Sequence, residues 1–234
     1  MPPKFFKTLD CLRCQNERIS TMTFSSRESA GKQLGNALLH ENIRADLVLG
    51  LPRGGVVVAA EVAKTLQVPL DVLVVRKIGH PWHREFAVGA LGEGGTVVLD
   101  ETSLGRTNVM EDDLQEIISE ETERLKNYQR KFHRDAPISR AGKRIIIVDD
   151  GLATGATMEA AVKSAKQQGA SEVIVAVPVA STNGAERLLA VADKVISLWT
   201  DPEFDAVGRY YEEFAQTTDE EVLALLHENE RLAA

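Results

Sequence analysis

RIIIVDDGLATGAT (144–157) decides the fold. Ile145, Ile146, Ile147 and Val148 form an apolar, β-branched run of the kind found in strands buried on both faces. The run delivers Asp149 and Asp150 to its own end, and the chain then turns through Gly151 and Gly155 into a helical pattern. Downstream the alternation continues: helix over 154–168, strand EVIVAVPVA (172–180), helix GAERLLAVA (184–192), strand KVISLWT (194–200). Upstream, ADLVLGL (45–51), GGVVVAAEVAKTLQ (54–67) and DVLVVRK (71–77) read as one βαβ unit. A crossover of that length demands parallel strands and a right-handed connection. The expected fold class is therefore α/β and Rossmann-like, a mostly parallel sheet with helices on both faces.

The remaining segments dress this framework. Ser25 with Glu28 reads as a capping box opening a helix that runs to about Asn42. FAVGAL (86–91) and TVVL (96–99) read as a hairpin or a pair of edge strands. From Glu111 to about His133 the pattern predicts one long amphipathic helix, which either covers the sheet or serves a dimer. Its basic residues interleave with acidic ones, so the face is read as solvated rather than as a nucleic-acid stripe. TTDEEVLALLHENE (217–230) is a further capped helix. The sequence suggests one domain over 23–234 behind a flexible N-terminal extension, residues 1–22.

Composition removes several classes of function. The 234 residues are 44% hydrophobic and 26% charged, ordinary for a folded domain. Apolar runs are far shorter than a membrane span requires. Thirty-five acidic against 27 basic residues give a net charge of −8, which repels a phosphate backbone, so DNA is not expected as a partner. Cys11 and Cys14 form a lone C-x-x-C without a second pair, half a zinc site at most, and are read as reduced thiols. The expected setting is cytoplasmic, and the expected assembly a homodimer.

Chemistry concentrates where the strands end. After Asp149 and Asp150, the tight glycine turn aims the free N–H groups of a new helix at one point, with the Thr154 and Thr157 hydroxyls beside it. A phosphate monoester fits there, held by the amides of residues 153–157 and the helix dipole. The turn lacks the lysine of G-x-x-x-x-G-K-[ST] and does not match G-x-G-x-x-G. Two carboxylates beside one phosphate suit a sugar phosphate, whose hydroxyls donate to the acids. The alternative is that the aspartates serve only as turn formers and a helix cap.

VDDGLATGAT resembles the phosphoribosyl diphosphate (PRPP) signature of the type I phosphoribosyltransferases. LGLPRGGVVVAAEVA (48–62) is similar to that family's pyrophosphate-loop region, and RKIG (76–79), EFAVGA (85–90) and AVGRYYEEFAQTTDEEV (206–222) look like a bacterial subgroup of it. The resemblance implies the type I phosphoribosyltransferase fold with a small hood, and a Mg²⁺-dependent transfer from PRPP to a nitrogenous base, with release of pyrophosphate. It places Asp149 and Asp150 on the ribose hydroxyls, directly or through a water on the metal, and Ala153, Thr154, Gly155, Ala156 and Thr157 on the 5-phosphate. It also implies a non-proline cis or strained peptide in the pyrophosphate loop, at Pro52–Arg53.

Cleaving the anomeric C–O bond leaves positive charge on the sugar and negative charge on diphosphate, so acids are needed near the one and cations near the other. Arg53, in PRGG, and Arg76 and Lys77, ending the second strand, are the expected cations, with Gly54 and Gly55 admitting the diphosphate to backbone amides. Surface roles for all three cations are the competing reading. Segment 78–95 reads as a mobile lid, in which His80, His83 or Glu85 would supply acid or base chemistry, Glu85 on the resemblance. In the 6-oxopurine enzymes an aspartate precedes the TG of the loop; here that residue is Ala153, which counts against a hypoxanthine-guanine specificity. The base site is expected in a hood built from 199–216 and the N-terminal segment, with Trp199, Asp201, Phe204 and Tyr210 stacking on and reading the base. Core packing is the alternative for these four. A PRPP-sensing regulator and a sugar-phosphate hydrolase are the rival functions.

Overall fold

Ile145 and Ile147 pack into one apolar cluster while Ile146 and Val148 pack into another, so the strand that carries them divides two cores. In this computed structural model the described residues are 9–11, 23–100, 104–105, 109–133 and 138–233. In chain order the elements are β1 (Leu9–Cys11), α1 (Arg27–His40), β2 (Leu47–Gly50), α2 (Gly54–Leu66), β3 (Leu70–Val72), β4 (Val75–His80), β5 (His83–Gly92) and β6 (Thr96–Leu99). There follow α3 (Gln115–Phe132), β7 (Arg144–Val148), α4 (Ala156–Gln167), β8 (Glu172–Ser181), α5 (Thr182–Leu189), β9 (Lys194–Asp201) and α6 (Asp219–Ala233).

Six strands form a parallel sheet in the order β1-β9-β8-β7-β2-β3. One face is covered by α1, α2 and α6, through Leu34, Leu38, Val58, Val62 and Val222, and the other by α4 and α5, through Met158, Val162 and Leu188. The apolar strands and alternating helices of the sequence thus give the expected α/β architecture. Among the described residues no helix is long and apolar enough to cross a membrane.

Several boundaries differ from expectation for identifiable reasons. DVLVVRK is not one strand: β3 ends at Val72, and β4 begins a separate antiparallel sheet, β4-β5-β6. Between them Val74 donates its N–H to the buried Glu93 carboxylate at 2.8 Å, which takes the chain out of the parallel ladder. The first helix is capped by Ser26, whose Oγ accepts from Ser29 N–H, because Ser25 is drawn into backbone pairing with Glu213. Within the segment expected to be an extension, Leu9–Cys11 instead pairs parallel with β9 as an edge strand. The rest of residues 1–22, Cys14 included, lies outside the described residues.

The segment expected as a lid is a three-stranded sheet. Its glycines serve close cross-strand approach: a Cβ on Gly89 would lie 2.6 Å from the Val98 carbonyl oxygen, and one on Gly92 3.0 Å from the Ser164 Cβ of α4. Ala90 and Val98 pack on Ala160 of the same helix. Helix α4 is therefore gripped by the parallel sheet on one side and by the small sheet on the other.

Candidate functional site

Asp149 and Asp150 leave the end of β7 side by side. Asp149 Oδ1 accepts the Asp150 N–H at 2.9 Å, and Asp150 Oδ2 accepts Nε–H of Arg27 at 2.8 Å. Burial pushes both carboxyls above the ordinary carboxylate range. Asp149 goes further because Asp150 repels its charge, whereas Arg27 pulls Asp150 partly back. Arg27 thus favours the charged form of the doublet that burial opposes.

The PRGG turn presses against this doublet. The Pro52–Arg53 peptide is cis. A Cβ on Gly54 would collide with Asp150 Oδ2, and one on Gly55 would stand 2.7 Å from Asp149 Oδ1. These glycines are thus required by contact with the acids, a steric reason that spacing alone does not reveal.

On the other flank Gly155, at φ 78°, is the N-cap of α4 and offers no side-chain cap. Ala153 and Thr154 are exposed, and among the described residues no backbone carbonyl outside the helix receives an N–H from residues 153–157. The turn is held from behind instead. Ser181 Oγ donates to the Ala153 carbonyl at 2.5 Å and accepts Gly184 N–H at 2.9 Å, capping α5 in the same act. A helix N-terminus braced in this way from the far side is the kind of place where backbone amides can receive an anion.

The expected cations are distributed differently. Arg53 points toward Asp219 of α6, 3.8 Å away. Arg76 and Lys77 do not end a strand of the parallel sheet but open β4. Arg76 pairs with Glu121 of α3 at 2.8 Å and lies over the Tyr128 ring, while Lys77 is exposed and its charge lowers the Asp149 pKa. Even so, Pro52, Arg76, Lys77 and Thr157 line one cleft of about 750 Å³. The cleft thus joins the PRGG turn, β4 and the first turn of α4.

Of the residues expected in acid or base roles, Glu85 lies on β5, and its side chain is outside the described set. His80 is buried, with its Nδ1 accepting the Trp82 N–H at 3.2 Å, and His83 packs on its ring. The hood candidates do cluster, but on each other: Tyr210 O–H donates to Asp201 Oδ2 at 2.6 Å, and Phe204 stacks on Tyr210 at 5.2 Å. Trp199 and Phe204 pack against the main core. The same segment reaches the acids next door, where Tyr211 O–H donates to the Asp150 carbonyl at 2.6 Å and Val207 packs on Gly151.

Two features escaped the sequence reading. Arg27 donates to Asp150 and to the Ala215 carbonyl, 2.8 Å each, with its guanidinium 3.8 Å above Phe214. A first-turn arginine in a charged helix carries no signal of such a role. The second is a buried ionic knot. His133 lies between Asp71 (3.2 Å) and Glu93 (3.0 Å), and the fully buried Arg140 donates to Glu93 at 2.8 Å. Burial opposes the charged forms, yet the two carboxylates hold His133 up at about 9, and the cations hold Glu93 below its usual value. The knot ties the edge of the parallel sheet to the small sheet, fixing how the cleft walls meet.

Fold and site together define an α/β protein with an acidic doublet and a glycine-led helix N-terminus at the carboxyl edge of a parallel sheet. The phosphoribosyl transferase domain pattern matches residues 27–212, and the chain belongs to that family. A provisionally named phosphoribosyl transferase of Mycobacterium tuberculosis, in strains H37Rv and CDC 1551, is 44% identical over 204 residues. That match covers 87% of this chain but 46% of the relative, so the chain spans less than half the relative's length. The crystal structure of TT1426 from Thermus thermophilus is 45% identical with a TM-score of 0.75, covering 88% of this chain and 99% of that one.

Proposed function

We propose that the chain binds PRPP and transfers its phosphoribosyl group to a nitrogenous acceptor. The observation that carries this reading is the open N-terminus of α4 directly beside the Asp149–Asp150 doublet. The amides of Ala153, Thr154, Gly155, Ala156 and Thr157 take the 5-phosphate, and the doublet accepts hydrogen bonds from the ribose hydroxyls. Diphosphate lies in the cleft between Pro52 and Lys77, under the charge of Lys77 and Arg76. In the reaction the anomeric C–O bond breaks and its electron pair leaves with diphosphate. An acceptor nitrogen forms the new C–N bond on the opposite face, and its proton is lost. The ionised doublet stabilises the cationic ribose ring that develops between these events.

Magnesium fits as a passenger of the substrate. Among the described residues no group of three or more His, Cys, Asp or Glu side chains could hold a metal ion. Diphosphate, ribose hydroxyls and water would supply most of its ligands, with Asp149 and Asp150 reached through water, the usual habit of this cation. When bound it would neutralise the leaving diphosphate. The acceptor is a small nucleobase-like molecule, the hood around Asp201 and Tyr210 its most suitable site, and the cytoplasm the expected setting.

Calorimetric titration of PRPP with magnesium tests the first half. Binding by the wild type and its loss in Asp150→Asn support the reading; no heat of binding to the wild type overturns it. Pyrophosphate release across a nucleobase panel tests transfer.

A further inference from the structure

The cleft is larger than a diphosphate needs. Its volume of about 750 Å³ falls in the upper part of the range of sites for drug-sized ligands. Beyond Lys77 it runs between the β4–β5 strands and α3, where Arg84 and Arg124 line it. We propose that this outer stretch is a second anion subsite, in which Arg84 and Arg124 take the terminal phosphoryl groups of a condensed phosphate of three or more units. The inference rests on the reading that diphosphate occupies the inner end.

Charge favours that occupant. Arg76, Lys77, Arg84 and Arg124 line the cleft against two carboxylates, Glu120 and Glu121, in a chain whose net charge is −8. A cleft with a net positive lining inside an otherwise acidic molecule focuses its field on an incoming anion. The existing pairs do not cancel it: Glu121 serves both Arg76 and Arg124, leaving the cations in excess. Arg84 meets Glu120 at 3.1 Å with both side chains over 40% exposed, 47% and 41%, and such pairs exchange readily for a better partner. The Arg124 side chain is 56% exposed. Guanidinium groups match phosphate oxygens two at a time, and two of them line this outer stretch. A phosphate chain also continues the chemistry of the inner end, which Thr157 and Lys77 both line.

The test is calorimetry on the full chain in magnesium buffer, titrating pyrophosphate and linear tripolyphosphate into the wild type and an Arg84→Gln/Arg124→Gln double variant. Tripolyphosphate should bind the wild type about tenfold more tightly than pyrophosphate, with a steeper loss in salt. In the variant that gain should vanish while pyrophosphate affinity stays within about twofold. Equal affinities in the wild type, or a gain that survives in the variant, would overturn the subsite. So would an acidic peptide that binds more tightly than tripolyphosphate. Failure of pyrophosphate itself to bind would instead overturn the diphosphate reading on which the subsite rests.

Discussion

Arg27 Nε stands 2.8 Å from Asp150 Oδ2, joining the first turn of α1 to the end of β7 across 123 residues of sequence. Arg27 lowers the Asp150 pKa against the effect of burial, so removing it raises the pH at which the doublet ionises. In Arg27→Ala the rising limb of PRPP binding against pH should move to higher pH, and binding at neutral pH should weaken about tenfold or more. Arg27→Lys should restore most of the shift. Titration calorimetry at several pH values decides; a lower melting temperature with an unmoved pH profile would reduce Arg27 to a packing role.

Gly54 leaves no room for a methyl group, since its Cβ would collide with Asp150 Oδ2 and lie 2.8 Å from Arg27 Nε. Gly54→Ala should destabilise the fold by about 1–3 kcal/mol through overpacking and displace the acid from its arginine. Chemical denaturation and PRPP titration should both register it.

Ser181 braces the proposed anion cradle from outside. Ser181→Ala removes the α5 cap, at about 1 kcal/mol, and frees the Ala153 carbonyl. Binding of ribose 5-phosphate should weaken while that of pyrophosphate stays unchanged, a split that simple loss of stability would not produce.

The buried knot gives stability a pH signature. His133 titrates near 9 in the fold against 6.5 when unfolded, so its contribution is complete below pH 6.5 and is lost as pH rises through 9. Glu93 is lowered from 4.5, so its contribution is present above that value and is lost as pH falls through the folded pKa. Together they place the knot's greatest support between about pH 4.5 and 6.5. His133→Gln should flatten the alkaline fall in melting temperature. Glu93→Gln leaves Arg140 buried without its carboxylate and should cost about 3–5 kcal/mol, measured by denaturant unfolding.

Much of this was legible in the chain. Ile145 to Val148 announced a buried strand, and the glycine turn after Asp149 and Asp150 announced the start of a helix, because both depend on residues adjacent in sequence. The break after Val72 was not legible: the apolar run continues through it, and what interrupts the strand is a carboxylate at Glu93, brought in by the fold. Arg76 and Lys77 were assigned to the cleft but to the wrong sheet for that reason. Arg27 was invisible because its partners, Asp150, Ala215 and Phe214, lie far away along the chain. Segment 78–95 reads as a mobile lid in sequence, yet Gly79, Gly89 and Gly92 within it are points of close approach by neighbouring strands and by α4.

Helix α4 touches both sheets along its length and carries the proposed anion cradle on its first turn. Loading that turn with an anion would therefore tighten two separate layers at once. Amide hydrogens in β7 and in β5 should then slow their exchange with deuterated solvent in step, although they belong to different sheets, with the helix acting as a common keel.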